Sequence, residues 1–255
     1  MHQVFNIFVF TEHTYSLVFA ELCSGRTHGI ASDMIDSMQN KVPFYGNTPD
    51  NTHCFQATIR SVLAYFMPDR TFTFEELDVL SAKIDGLATW PQAMLLSLAS
   101  MGFDVTVIEN FDAQRFIDEG AAYLVAAYGR EASTWQIANS DIAQERRIYK
   151  ELVTAKNVTI EQRPATTQDI TQFLDSGYLV QAMINSKVLH NKKGYAGHSV
   201  LIYGYNEEGL YMHDPGLPAQ ESAYISYSDF YKAWASPDDT ATNIIAINYR
   251  QGDTI

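Results

Sequence analysis

The chain has 255 residues, 46% of them hydrophobic and 13% aromatic, enough to bury a core and to exclude wholesale disorder. Its 17 Lys and Arg against 30 Asp and Glu leave a formal charge of −13, which argues against nucleic-acid binding and against docking on an anionic membrane, and inclines it towards neutral or basic substrates. Two cysteines, Cys23 and Cys54, exclude a disulfide framework and a multi-thiolate zinc site, and suit a reducing, cytoplasmic interior.

Residues 1–40 read as an N-terminal extension. Their apolar stretch, residues 4–23, is broken by Glu12, His13 and Glu21, so it does not form a membrane span. No Lys or Arg precedes it, as a secretory signal would require. Met34 and Met38 lie just before the regular text, and a start at either would make the first ~35 residues dispensable. Cys23 falls in this segment and reads as a packed thiol.

From Lys41 to the end, residues 41–255, one domain is expected. VPFY is extended and is followed by the turn-rich GNTPDNTH. In FQATIRSVLAYF the apolar residues Phe55, Ile59, Val62, Leu63 and Phe66 predict a helix with one buried face, and Asp50, Asn51 and Thr52 offer N-cap chemistry. TFTFEELDVLSAKI predicts a second helix, with Thr73 and Glu76 at capping-box spacing. TWPQAMLLSLASMG predicts a third, with Pro91 in its first turn and Gly102 after its end. FDVTVIE is a strand, residues 112–156 are mostly helical, NVTIEQ is a short strand, and TTQDITQFLDSG is a helix ended by Gly177. YLVQAMIN, HSVLIYGYN, GLYMHDPG and NIIAINY are β-rich. Helices first and strands later predict an α+β domain with an antiparallel sheet.

Three residues combine into a chemical pattern. Cys54 stands at a predicted helix N-terminus, where the helix dipole and free N–H groups stabilise a thiolate and an oxyanion. His198 begins a strand just after Gly197, and Asp214 ends the next strand. A turn at residues 206–209 makes these strands a hairpin, which brings the two side chains to the same end, as a base and its orienting carboxylate require. His53 reads as a cleft-lining or surface residue, and strand alternation turns His213 away from Asp214. With His190 these histidines show no HExxH or paired spacing, so no metal and no cofactor is expected. Tyr195, Tyr203, Tyr205 and Tyr211 read as ordinary strand residues, and NKKGYAG as a loop beside the cleft.

VPFYGN…THC, followed downstream by GHSVLIYGYNEEGLYMHDPG, resembles the papain-like cysteine peptidases of the bacteriocin-processing (double-glycine leader) type, most closely their free-standing peptidase-like domains. The resemblance implies a papain-like fold with Cys54 as nucleophile, His198 as base and Asp214 as orienter. Where that family carries an oxyanion-binding Gln, this sequence has Asn47, with Asn51 as the alternative. Phe55 and Gln56 follow the cysteine where the family commonly has Gly-Pro. The expected activity is hydrolysis of a peptide or other amide bond through an acyl-enzyme; an acyltransferase using the same triad with a small acyl substrate, or a silent peptide-binding module, remains open.

Overall fold

The computed structural model describes residues 42–250. Residues 1–41 and 251–255, and with them the N-terminal extension, the Met34 and Met38 starts and Cys23, lie outside the described residues.

The first helix, α1 (Cys54–Phe66), buries Phe55, Ile59, Val62 and Leu63 as its spacing predicts, but its N-terminal half is buried on every side, Gln56 and Thr58 included. The capping box forms at the start of α2 (Phe74–Leu80), and Pro91 is the N-cap of α3 (Gln92–Ser100). After β1 (Phe103–Glu109) the helical region divides into α4 (Ala113–Glu119), α5 (Ala121–Tyr128), α6 (Arg130–Ala138) and α7 (Ile142–Leu152). Gly120 and Gly129, at φ +59° and +79°, make the first two breaks, in backbone geometry that side-chain-bearing residues avoid. Then follow β2 (Val158–Gln162), α8 (Thr167–Asp175), β3 (Leu179–Asn185), α9 (Ser186–Leu189), β4 (Gly197–Tyr205), β5 (Gly209–Asp214), β6 (Gln220–Ser226), α10 (Tyr227–Trp234) and β7 (Ile244–Tyr249).

The domain is α+β, but its sheet is mixed. The strands lie in the order β2-β1-β7-β3-β4-β5-β6, antiparallel throughout except for the parallel pair β1–β2. A parallel pair needs a long crossover, and α4–α7 supply it, so the strands from the middle of the chain extend the expected antiparallel sheet. Helices also cover both faces rather than one. On one face Leu179, Leu201, Tyr203, Ile245 and Ile247 meet α1, α2 and α3. On the other, Val180, Ala182, Val200, Ile202 and Ile244 meet Ile170 and Leu174 of α8 and Phe230 and Trp234 of α10. Burial on both sides explains why β3, β4 and β7 read as continuous apolar runs. A third, aromatic core joins Trp90, Phe111, Phe116, Tyr123 and Tyr149 under the crossover helices. No helix among the described residues is long and apolar enough to cross a membrane.

Two carboxyls are trapped near that aromatic core. Glu109 ends β1 with its carboxyl enclosed and with Tyr149 Oη as donor at 3.3 Å; burial pushes it up to about 7 against that hydrogen bond. Glu145 of α7 is pushed up to about 7 by burial, with Asp141 adding to the effect. The titratable groups coupled to Glu109 are Tyr149, Tyr128 and Tyr123, all neutral acids rather than cations. A carboxyl raised in the folded state holds its proton more tightly than in the unfolded chain, so stability is full below the ordinary value of 4.5 and falls as pH rises towards about 7. The wild-type thermal midpoint is therefore expected to drop between about pH 5 and pH 8, and the double variant Glu109→Gln, Glu145→Gln to lose most of that drop in the same scan.

Candidate active site

Cys54 is the first residue of α1, buried, with its helix N-terminus laid against β4. The N-cap is His53, and no side chain caps the helix. The expected caps turn elsewhere: the Asp50 carboxylate accepts from the hydroxyls of Thr48 at 2.5 Å and Thr52 at 3.0 Å and from Thr52 N–H at 3.3 Å, closing a local turn, and Asn51 adopts φ +60°. The first N–H groups of α1 are left to the thiol instead. Burial alone would raise the Cys54 thiol, but the hydrogen bond and charge of His198, with N–H groups of Ser199 and Phe55, hold it below the ordinary thiol range.

The His–Asp hairpin forms as its spacing predicts. Strands β4 and β5 pair antiparallel, and His198 Nε2 meets Asp214 Oδ1 at 2.5 Å. With Nε2 committed to the carboxylate, Nδ1 is the ring nitrogen available to the thiol. Burial opposes charge on His198, yet its bonds to Asp214 and Cys54 raise it to about 10. Burial likewise opposes charge on Asp214, and the contact with His198, joined by the Gly216 N–H at 2.8 Å, holds its carboxyl below the usual range. Both shifts run in the same sense, favouring a thiolate on Cys54 and an imidazolium on His198.

Gly216 is a site residue that the DPG motif contained without marking. A Cβ there would stand 2.9 Å from Asp214 Oδ1 and 3.2 Å from His198 Nε2. Only glycine lets the chain close over the pair. Asp78 is a second such residue: from α2 it receives Gln56 Nε2 at 3.2 Å and pairs with His53 Nε2 at 3.1 Å. Its place in a helix gave no sign of this.

His53 is neither on the surface nor lining the cleft. It is buried, with Nδ1 against Thr48 Oγ1 at 2.7 Å, and fixes the loop before Cys54. His213 faces away from Asp214, bonded through Nε2 to the carbonyl of Val42 at 3.0 Å. Asn47 is close to the site but its amide is committed. Oδ1 accepts from the N–H of His53 at 2.7 Å and of Thr48 at 2.9 Å, and Nδ2 donates to Asn51 Oδ1 at 2.9 Å. Both candidate oxyanion donors are therefore bonded to each other, and Asn47 serves as an acceptor that shapes the loop. Its backbone N–H also donates to Pro215 O at 2.8 Å, tying the Cys54 loop to the Asp214 loop.

A buried hydroxyl relay joins α1 to the sheet. Thr58 Oγ1 donates to Phe55 O at 2.7 Å, so it must accept from Ser199 Oγ at 3.1 Å; Ser199 in turn accepts from Gln181 Nε2 at 3.0 Å. Beside Cys54 lies a cavity of about 50 Å³, lined among others by Phe55, Gln92, Glu109, Gln181 and Gly197. Phe55 packs into the core while walling this cavity. Among the described residues no group of three or more His, Cys, Asp or Glu is arranged to hold a metal ion.

The sequence matches the model of the Peptidase_C39 like family over residues 38–241. Among solved structures it is similar to the peptidase domain of Streptococcus ComA, a bi-functional ABC transporter involved in a quorum-sensing pathway, at 12% identity and TM-score 0.43, covering 82% of this chain and 99% of that one. It is also similar to a C39-like protein from Bacillus anthracis, at 16% identity and TM-score 0.43, covering 84% and 98%. The curated proteins contain no match.

The acceptor role of Asn47 separates two variants. Asn47→Ala removes the acceptor for two N–H groups and is expected to lower unfolding free energy by about 1 kcal/mol. Asn47→Asp keeps both acceptors and loses only the exposed bond to Asn51, so its urea midpoint should lie closer to wild type than that of Asn47→Ala. Gly216→Ala should break the His198–Asp214 contact, seen as a downfield imidazole N–H resonance lost from the proton NMR spectrum.

Proposed function

We propose that this chain, which belongs to the Peptidase_C39 like family, hydrolyses a peptide or other amide bond through an acyl-enzyme on Cys54. The family makes it a cysteine peptidase-like hydrolase; the triad and the covalent intermediate are our reading. The observation that carries it is His198, held by Asp214 at 2.5 Å and coupled electrostatically to Cys54 at an uncapped helix N-terminus.

The Cys54 thiolate attacks the carbonyl carbon, and the carbonyl oxygen takes up the negative charge. The Cys54 N–H at the head of α1 is the donor for that oxyanion; loss of one such donor ordinarily raises a barrier by roughly 2.7–4 kcal/mol. As the C–N bond breaks, the His198 imidazolium gives its proton to the departing amine. A thioester remains. Neutral His198 then takes a proton from water, the hydroxide adds to the thioester, and the carboxylic acid leaves as the thiolate re-forms. Asp214 holds the ring in place through both proton transfers and stabilises its charged form.

The sign of the pH dependence follows from the two shifts. Lowering of Cys54 brings the thiolate in before the ordinary thiol range, and elevation of His198 keeps the imidazolium to about 10. Iodoacetamide should therefore modify Cys54, located by peptide mass mapping, with a rate that rises at lower pH than that of an ordinary thiol. In His198→Ala only the N–H groups of Ser199 and Phe55 still oppose the burial of the thiol, so the rise should move to higher pH and the neutral rate fall roughly tenfold for each pH unit moved. A silent binding module would show the same alkylation profile in both proteins, and that result would sink the proposal.

A further inference from the structure

The cavity beside Cys54 is walled by residues whose acceptors lack matching donors. The relay through Ser199 and Thr58 fixes the Gln181 amide with Nε2 towards the strand, and its Oε1 has no partner among the described residues. Gln92 is fixed the same way. Its Nε2 donates to Tyr149 Oη at 2.5 Å, whose own proton goes to Glu109 Oε1 at 3.3 Å, and Gln92 Oε1 is likewise unpartnered. Both glutamines are buried, with relative exposures of 4% for Gln92 and 1% for Gln181. Glu109 adds a carboxyl whose Oε2 accepts no hydrogen bond from the described residues and which no described cation neutralises. Asn243, on the same wall, is satisfied by Met183 N–H and Ala241 O.

A carboxyl that no described cation neutralises, with two unpartnered glutamine oxygens packed behind the wall adding negative potential, suits a small group with several N–H donors and a positive charge in a space of about 50 Å³. We propose that this cavity is the specificity subsite for a cationic head, an ammonium or a guanidinium, on the substrate whose carbonyl meets Cys54. The inference rests on the Cys54 nucleophile proposed above. It agrees with the chain's formal charge of −13, which draws cations rather than anions to the surface. It also gives Glu109 a reason to be where it is: alone it weakens the fold when ionised, and a bound cation offsets that.

The test uses three peptidyl chloromethyl ketones that differ in one side chain: arginine, its neutral near-isostere citrulline, and norleucine. Each alkylates a reactive thiolate, forming a thioether and releasing chloride. The arginyl reagent is expected to modify Cys54 roughly tenfold faster than the citrullyl one, the effect of one charge-assisted contact, and faster still than the norleucyl one. In Glu109→Gln the arginyl-to-citrullyl ratio should fall towards one. Because the wild-type ordering needs no variant, the outcome stands even if Glu109→Gln fails to fold. Rapid and equal modification by all three reagents, or a norleucyl or citrullyl preference, overturns the subsite alone. An arginyl preference retained in Glu109→Gln removes Glu109 from it. Absence of modification at Cys54 by any reagent overturns the nucleophile as well.

Discussion

The site depends on the N-terminus of α1 being fixed against β4. A helix end packed against a sheet is ordinarily a poor place for polar groups, because its first N–H groups lack partners within the helix. Here the contact is made by a directed run of hydroxyls, from Gln181 through Ser199 and Thr58 to the carbonyl of Phe55, with both hydroxyl protons used and each direction set. That run passes through Ser199, one residue from His198, and ends at Phe55, one residue from Cys54. It holds the nucleophile's helix and the base's strand in register through short, buried hydrogen bonds, which are electrostatically stronger than the same bonds in water. Because the run is directional, it also decides which end of the Gln181 amide is left without a partner behind the cavity wall. One interaction thus sets both the reactive geometry and part of the chemistry of the wall beside it.

Around that contact the chain withholds the groups that would quench the thiolate. Asp50, Asn51 and Thr52 are suited to capping α1, yet they are folded into a turn of their own, and His53 is tied to Thr48 and Asp78. Had any of them bonded to the first N–H groups of the helix, those groups would not be available to sulfur or to an oxyanion. The charge state of Cys54 therefore depends on loop residues that never touch it, and on Asn47, which closes the loop by accepting two N–H groups.

The principal pair was legible because each member sat in a local pattern with its own consequence: an apolar helix preceded by turn residues at Cys54, and a Gly-bounded hairpin that returns Asp214 to the level of His198. The helices up to α3 and the strands β1, β3, β4, β5 and β7 were legible for the same reason, since their periodicity is set by burial. What escaped was whatever only the tertiary structure brings together. Glu109 reads as a polar strand end, Gln92 and Gln181 as unremarkable positions in a helix and a strand, and nothing in the sequence signals that three elements gather them around one cavity. The side-chain direction of Asn47 was equally hidden, because a loop residue's partners are fixed by closure of the loop rather than by spacing. The β6–α10 unit did carry a local signal: Ser226 caps α10 by accepting from Asp229 N–H, a spacing visible in SYSD.

Strand β7 stands between β1 and β3, although it is the last of the described strands to leave the ribosome. Until it inserts, the sheet exists as two unconnected parts, with β1 and β2 on one side and the hairpins of β3 to β6 on the other. The core under α1 draws on both parts and on β7 itself, through Phe103, Leu201 and Ile247. A nascent chain that has already made Cys54, His198 and Asp214 consequently still lacks the platform that presses them together. The strands that carry His198 and Asp214 are joined to β1 and β2 only through β7, so the whole sheet behind the site hangs on one insertion.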